Sequence, residues 1–305
     1  MSTLRILGYD LNFLEYYMPK NLFITIGDVC ISIEGDPQNP GREIPPAYQP
    51  FIATASPEIR LRMHLGTPET SGEKKLFDSS PIWTLHRQGK GFVIKIYENI
   101  EGQKQILSVF PDFRKADLYL TGPGGSFNDL FYGPTLELLM VNYLAQDSGV
   151  IVHACGINRD NRDGRGILFV GESGAGKSTL AKLWDQEKGI DILSDDRIIV
   201  RKKAGQFWMY GTPWHGEAKF VSAKGVRLEK IFFLQQDHKN SIKAVQGTYP
   251  ILQFLKASFP PFWDAKGVEF ALEFFNDLAV SVPCRELSFK PDNSIIDYIK
   301  AHGER

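Results

Sequence analysis

Residues Gly171, Glu172, Ser173, Gly174, Ala175, Gly176, Lys177, Ser178 and Thr179 run consecutively and contain the spacing GxxxxGK[ST]. That spacing suits the binding of phosphate. Glycines let successive backbone N–H groups converge on phosphate oxygens, and a helix starting at the lysine adds the positive end of its dipole. In such a loop Lys177 reaches the β- and γ-phosphates of a nucleotide, and the Ser178 hydroxyl ligates Mg2+. Further along, two adjacent carboxylates, Asp195 and Asp196, stand inside the apolar run from Ile192 to Val200. Phosphoryl transfer to a hydroxyl needs two negative groups, one to hold Mg2+ and one to orient or deprotonate the nucleophile. Neighbouring aspartates can divide these tasks, and their repulsion can raise one pKa. The alternative is that one acts alone while the other pairs with Arg197 or caps a turn, since successive strand residues point to opposite faces. His153 closes the apolar strand Val150-Ile-Val152, where a histidine by itself reads as a satisfied core residue.

These groups work only if strands and helices place them. Ile167-Leu-Phe-Val170 reads as a buried strand directly before Gly171, and Leu180, Leu183 and Trp184 fall on one face of a following helix. The aspartates then belong at a strand end, where ligand chemistry gathers in α/β sheets. From Gly133-Pro134 onward the pattern is α/β. A proline-started helix carries Leu136, Leu138, Leu139, Val141 and Leu144. Strands follow at 150–152, 166–170, 190–193, 197–201 and 231–234, and helices at 251–259, at 268–278 and from Ser294. The first 130 residues are β-rich instead. Leu22, Ile24 and Ile26 alternate before Gly27-Asp28, and Val29, Ile31 and Ile33 after it, which predicts a hairpin. Leu61, Met63 and Leu65 mark another strand, and segments 83–86 and 92–97 flank a second turn at 88–91. Residues 35–50 are expected to form a loop, and the style of the chain changes near Gly122–Gly125. The expected organisation is a β-rich N-terminal domain, 1–130, for substrate or partner binding, then a catalytic domain, 131–305.

Composition narrows the function. Of 305 residues, 43% are hydrophobic and 23% charged, enough to bury a full core. The formal net charge of −1 leaves no excess of cations for nucleic-acid binding. No run of 18 apolar residues occurs, so no membrane span is expected. The N-terminal stretch turns polar before a secretory apolar region forms. Cys30, Cys155 and Cys284 lie far apart without a CxxC pair, which predicts reduced thiols and a cytoplasmic protein without structural zinc.

Three segments in one order, His153-Ala-Cys-Gly156, Gly171–Thr179 and Leu193-Ser-Asp-Asp-Arg197, resemble the C-terminal catalytic domain of HPr kinase/phosphorylase. That family shares a nucleotide-binding core with phosphoenolpyruvate carboxykinases, and the resemblance spans about residues 134–300. It implies an α/β P-loop kinase domain preceded by a β-rich N-terminal domain. It also implies an active-site place for His153, a base or metal role for Asp195 and a supporting one for Asp196. Tyr210–Gly216 looks like a loop of kinase relatives that faces the same cleft. No glycine-rich EIRGxGI signature follows the aspartates, which weakens the case for HPr itself as acceptor. Some relatives phosphorylate free serine or a serine of a small modified peptide, and the ring-forming members make a homo-oligomer an expectation.

The combined expectation is a kinase that moves the γ-phosphate of ATP, with Mg2+, to a hydroxyl acceptor such as a peptide or protein serine or a small molecule. Downstream NKxD and LSGGQ motifs are absent, which sets GTPase and ABC-ATPase readings behind it. A nucleotide sensor and a hydrolase without acceptor are the alternatives. Kinase and phosphorylase are not separated, because the reverse reaction uses the same groups.

Overall fold

The computed structural model describes residues 21–35, 44–69, 71–97, 103–121, 127–160 and 164–302. Gly122–Gly125 and the N-terminal stretch lie outside them. The fold is α/β, built on two mixed eight-stranded sheets.

The first sheet contains β1 (Asn21–Ile26), β2 (Val29–Glu34), β3 (Ile59–Leu65), β4 (Lys74–Ser79), β5 (Trp83–Gln88), β6 (Gly91–Tyr97), β7 (Gln103–Val109) and β8 (Lys115–Leu120). Their spatial order is β1-β2-β3-β8-β7-β6-β5-β4. Both expected hairpins form, β1/β2 with Ile26 opposite Val29 and β5/β6 with Gln88 opposite Gly91. β2–β3 and β3–β8 pair in parallel. Strands β4, β7 and β8 are not anticipated by the sequence reading, because their apolar alternation is diluted by Lys, Gln and Asp. Within the expected 35–50 loop, Pro46 begins a 3-10 helix that runs to Phe51, while 36–43 fall outside the described residues.

Helix α1 (Thr135–Leu144) follows, buried on nearly every side. The second sheet contains β9 (Val150–Asp160), β10 (Arg165–Val170), β11 (Asp191–Ser194), β12 (Arg197–Lys203), β13 (Gln206–Tyr210), β14 (Gly225–Gln236), β15 (Ser241–Ala244) and β16 (Cys284–Phe289). Helices α2 (Lys177–Trp184), α3 (Tyr249–Lys256), α4 (Ala265–Ser281) and α5 (Ser294–His302) are interspersed. The path is β10-β9-β12-β13-β14-β16-β15, and β14 also pairs with β10, so five of these strands close on one another.

Both faces of this sheet are covered, which is why its strands read as continuous apolar runs rather than alternating ones. Val152, Leu168, Val170, Ile231 and Phe233 pack with Phe254, Phe275 and Leu278 of α3 and α4. Their neighbours Ile157, Ile167, Phe169, Phe232 and Leu234 point the other way, onto Leu180 and Trp184 of α2 and Ile295 and Ile299 of α5. The first sheet's core cluster also takes in Ile151, Ile199 and Tyr210, so the two sheets share apolar packing. The Gly27-Asp28 turn is tied to β12: Arg201 Nη1 donates to the carbonyls of Gly27 and Asp28, at 2.7 and 3.1 Å. No helix among the described residues is long and apolar enough to cross a membrane.

Several expected boundaries move; β14 starts at Gly225 rather than 231, and α4 spans Ala265–Ser281 rather than 268–278. α3 ends at Lys256 rather than 259, where Ala257 leaves helical geometry. The strand expected at 150–152 continues to Asp160, so His153 lies inside it. Ala154, Cys155 and Gly156 carry little strand propensity. They are held extended because β10 pairs with all three, and β11 adds a second partner at Gly156.

Candidate active site

Strand β10 ends at Val170, and the chain turns through 171–176 into α2. Gly176 caps the helix with φ of 97°, a left-handed conformation that favours glycine. A Cβ there would also meet the Phe289 ring at 2.6 Å. The first N–H groups of α2 have no intrahelical acceptor, and Gly176 supplies no side chain to satisfy them. Glu172, Ser173, Gly174 and Thr179 are exposed, Gly171 and Ala175 partly so. Lys177 is buried, and its Nζ donates to the carbonyls of Gly171 (2.9 Å) and Glu172 (2.8 Å). Burial pulls its ammonium down to about 8; the Asp196 charge opposes this and the Arg197 charge adds to it.

The aspartates occupy the turn between β11 and β12, both of which pair with β9. Because Asp195 and Asp196 lie in that break, strand alternation does not govern them. The Ser194 hydroxyl accepts the N–H groups of Asp196 and Arg197 (3.3 and 3.4 Å) and stabilises the turn. Asp196 O accepts the Ala154 N–H at 3.0 Å, which registers the turn against β9 beside His153.

Their side chains take different surroundings. Asp195 is fully buried at 0% exposure. Its Oδ2 accepts from the Ser178 hydroxyl (2.9 Å) and the Ala218 N–H (3.0 Å), and its Oδ1 from the Gly216 N–H (3.0 Å). Asp196 remains partly exposed. Its Oδ1 lies 2.7 Å from His153 Nε2, and its Oδ2 accepts from Arg197 Nη1 at 2.5 Å. Burial penalises the Asp196 charge, but the hydrogen bond from His153 and the Arg197 guanidinium outweigh it and hold the carboxyl below its ordinary value. Arg197 also donates from Nε to Glu137 of α1 (2.7 Å), with its guanidinium 4.3 Å from the Phe259 ring centroid. Cys155, behind the aspartates on β9, is fully buried, and burial, with Asp195 adding to it, pushes its thiol up.

Lys177, Ser178, Asp195 and Asp196, at the ends of β10 and β11, therefore form one constellation with His153 inside β9. The sequence reading omits Glu137 and the Gly216 and Ala218 amides. Glu137 gives no local signal, being 60 residues from its partner. The amides act through the backbone, which residue type does not reveal. Gly216 alone left a trace, as the end of the Tyr210–Gly216 segment. Among the described residues no group of three or more His, Cys, Asp or Glu side chains could hold a metal ion.

No family model and no curated protein matches this chain. Among solved structures, it is similar to the HPr(Ser) kinase/phosphatase from Coxiella burnetii. That likeness has 15% identity, covers 51% of this chain and 99% of that one, and has a TM-score of 0.27. So loose a superposition carries nothing about the chemistry.

Proposed function

We propose that this chain is a phosphotransferase of the P-loop kinase type, which moves the γ-phosphoryl group of ATP to a hydroxyl acceptor. The observation that carries the reading is the hydrogen bond from Ser178, in the first turn of α2, to the buried carboxylate of Asp195. It sets two hard oxygen donors side by side at the mouth of a glycine-rich loop. Mg2+ takes one or two protein oxygens together with phosphate oxygens and water, and this donor set fits it. When bound, Mg2+ would supply charge neutralisation on the phosphates; Ser178 and Asp195 would hold it. The free N–H groups of α2 and the Lys177 ammonium bind and orient the phosphates.

Asp195 is fully buried against Ser178, whereas Asp196 is partly exposed, so Asp196 is the carboxylate within reach of an acceptor hydroxyl, to orient it and receive its proton. His153 and Arg197 hold it ionised in one rotamer, which suits a reaction where positioning outweighs covalent help from the protein. In this reading residues 131–305 form the catalytic domain, and 1–130 a β-rich module that presents substrate or partner. The buried free thiols of Cys30, Cys155 and Cys284 accord with a reducing cytosol.

The test is a transfer screen with γ-labelled ATP and Mg2+ against free serine, small peptides, HPr and cell extract, with Lys177→Ala as control. Label on an acceptor that disappears in the control supports the kinase. Label released only as free phosphate would replace it with a hydrolase, and ATP binding without turnover with a nucleotide sensor.

A further inference from the structure

We propose that Tyr48, on the 3-10 turn between β2 and β3 of the first sheet, is a positioning residue for Asp195. The inference rests on the metal-holding role given to Asp195 above and extends it to a residue of the other sheet.

The hydrogen bonds that fix Asp195 come from the segment between β13 and β14. Gly216 and Ala218 approach the carboxylate with their N–H groups, and Gly216 has no room to spare: a Cβ there would lie 2.7 Å from Asp195 Oδ2. One end of this segment is held by Thr212, fully buried, whose hydroxyl donates to the Arg197 carbonyl at 2.8 Å. Two residues before Gly216, the Trp214 indole N–H donates to the Tyr48 hydroxyl at 3.1 Å. Tyr48 is a firm anchor. It is 3% exposed, its ring packs 4.7 Å from that of Phe131, and its backbone N–H closes the turn on Pro45. Pro45, Pro46 and Pro50 restrict the backbone on both sides of it.

The same hydroxyl lies in the field of the second carboxylate's support. Burial raises the Tyr48 phenol well above its ordinary value, and the Glu137 charge adds to the effect, so the hydroxyl stays neutral. Glu137 in turn holds Arg197, and Arg197 holds Asp196. Tyr48 therefore stands beside both routes to the aspartate pair, one through the Trp214 segment and one through Glu137.

The test uses Tyr48→Phe, which removes one oxygen and keeps the ring, with Trp214→Phe as the reciprocal change. Two readouts are needed. Hydrogen exchange of the 211–220 peptide reports the anchoring without any ligand, and the Mg2+ dependence of ATP binding, followed by calorimetry, reports the metal site. Loss of one buried hydrogen bond predicts exchange faster by about five-fold in that peptide and a Mg2+ half-saturation raised by a similar factor. Exchange of the β14 peptide should be unchanged, and the double variant should do no more than either single one. Unchanged exchange in Tyr48→Phe would overturn the proposal. So would faster exchange with wild-type Mg2+ dependence, which would make Tyr48 a structural residue only. Wild-type protein that binds no Mg-ATP would instead remove the phosphotransferase reading, and the exchange result would still decide whether Tyr48 holds the segment over Asp195.

Discussion

Substituting Gly216→Ala isolates what the segment over Asp195 contributes. Gly216 does not adopt a positive φ, so alanine brings no backbone strain, and the effect comes from one methyl group. That methyl would lie 2.7 Å from Asp195 Oδ2 and 3.3 Å from both Asp195 Cγ and Asp196 Cβ. Relief to an ordinary van der Waals contact requires the segment and the carboxylate to part by about 0.7 Å. A displacement of that size would stretch the 3.0 Å bond from Gly216 N–H towards about 3.7 Å, beyond hydrogen-bonding range. Losing a bond to a charged acceptor costs about 1.5–3 kcal/mol, which in a chain of this size lowers the melting midpoint by several degrees. Misplacing a ligand carboxylate on this scale costs more in rate than in stability, about 100-fold in kcat. The assay is labelled phosphate transfer across a Mg2+ series, beside a thermal melt. A variant that retains the wild-type rate and Mg2+ requirement would refute the claim that this segment positions Asp195.

Other outcomes follow from the same geometry. Lys177, held at about 8 by burial in the free protein, should regain its proton when phosphate approaches; binding ATP at pH 8 is then expected to take up about half a proton. Calorimetry in buffers of different ionisation enthalpy measures this, with affinity falling as pH rises through about 8 and no uptake in Lys177→Ala. On the proposed reading, Ser178→Ala removes one of the two oxygens that would hold Mg2+. It should raise the Mg2+ requirement about ten-fold, with ATP binding in the absence of metal little changed. Arg201→Met strips the guanidinium from the carbonyls of Gly27, Asp28 and Ser148, where the two sheets meet. Denaturant unfolding should show a loss of about 2–4 kcal/mol.

Local pattern was enough for some features and insufficient for others. The loop and its helix were legible because Gly171–Ser178 combines its own spacing with an apolar strand before it and an amphipathic helix after it. The Gly27-Asp28 and 88–91 hairpins were legible because period-two alternation flanks a tight turn on both sides. Strand β9 was cut short at Val152, since Ala154-Cys-Gly156 resembles a strand only once its neighbours supply the ladder. From residue type the aspartates could be picked out only as a pair; the base or metal role for Asp195 and the supporting one for Asp196 came from the family resemblance alone. Both are the same residue type in one apolar run, and although alternation sets neighbours on opposite faces, it does not say which one meets Ser178.

The sequence by itself determined the glycine-rich loop and the aspartate pair, because their types and spacing are local and the loop's spacing lies within nine residues. Only the tertiary structure decided the different surroundings of the two aspartates. Asp195 faces Ser178 and two backbone amides supplied from beyond β13, while Asp196 faces His153 and an arginine held by Glu137 of α1. Hydrogen bonds across so many intervening residues depend on how the sheets pack, and backbone donors leave no mark in residue type. An aspartate's environment is therefore a property of the fold.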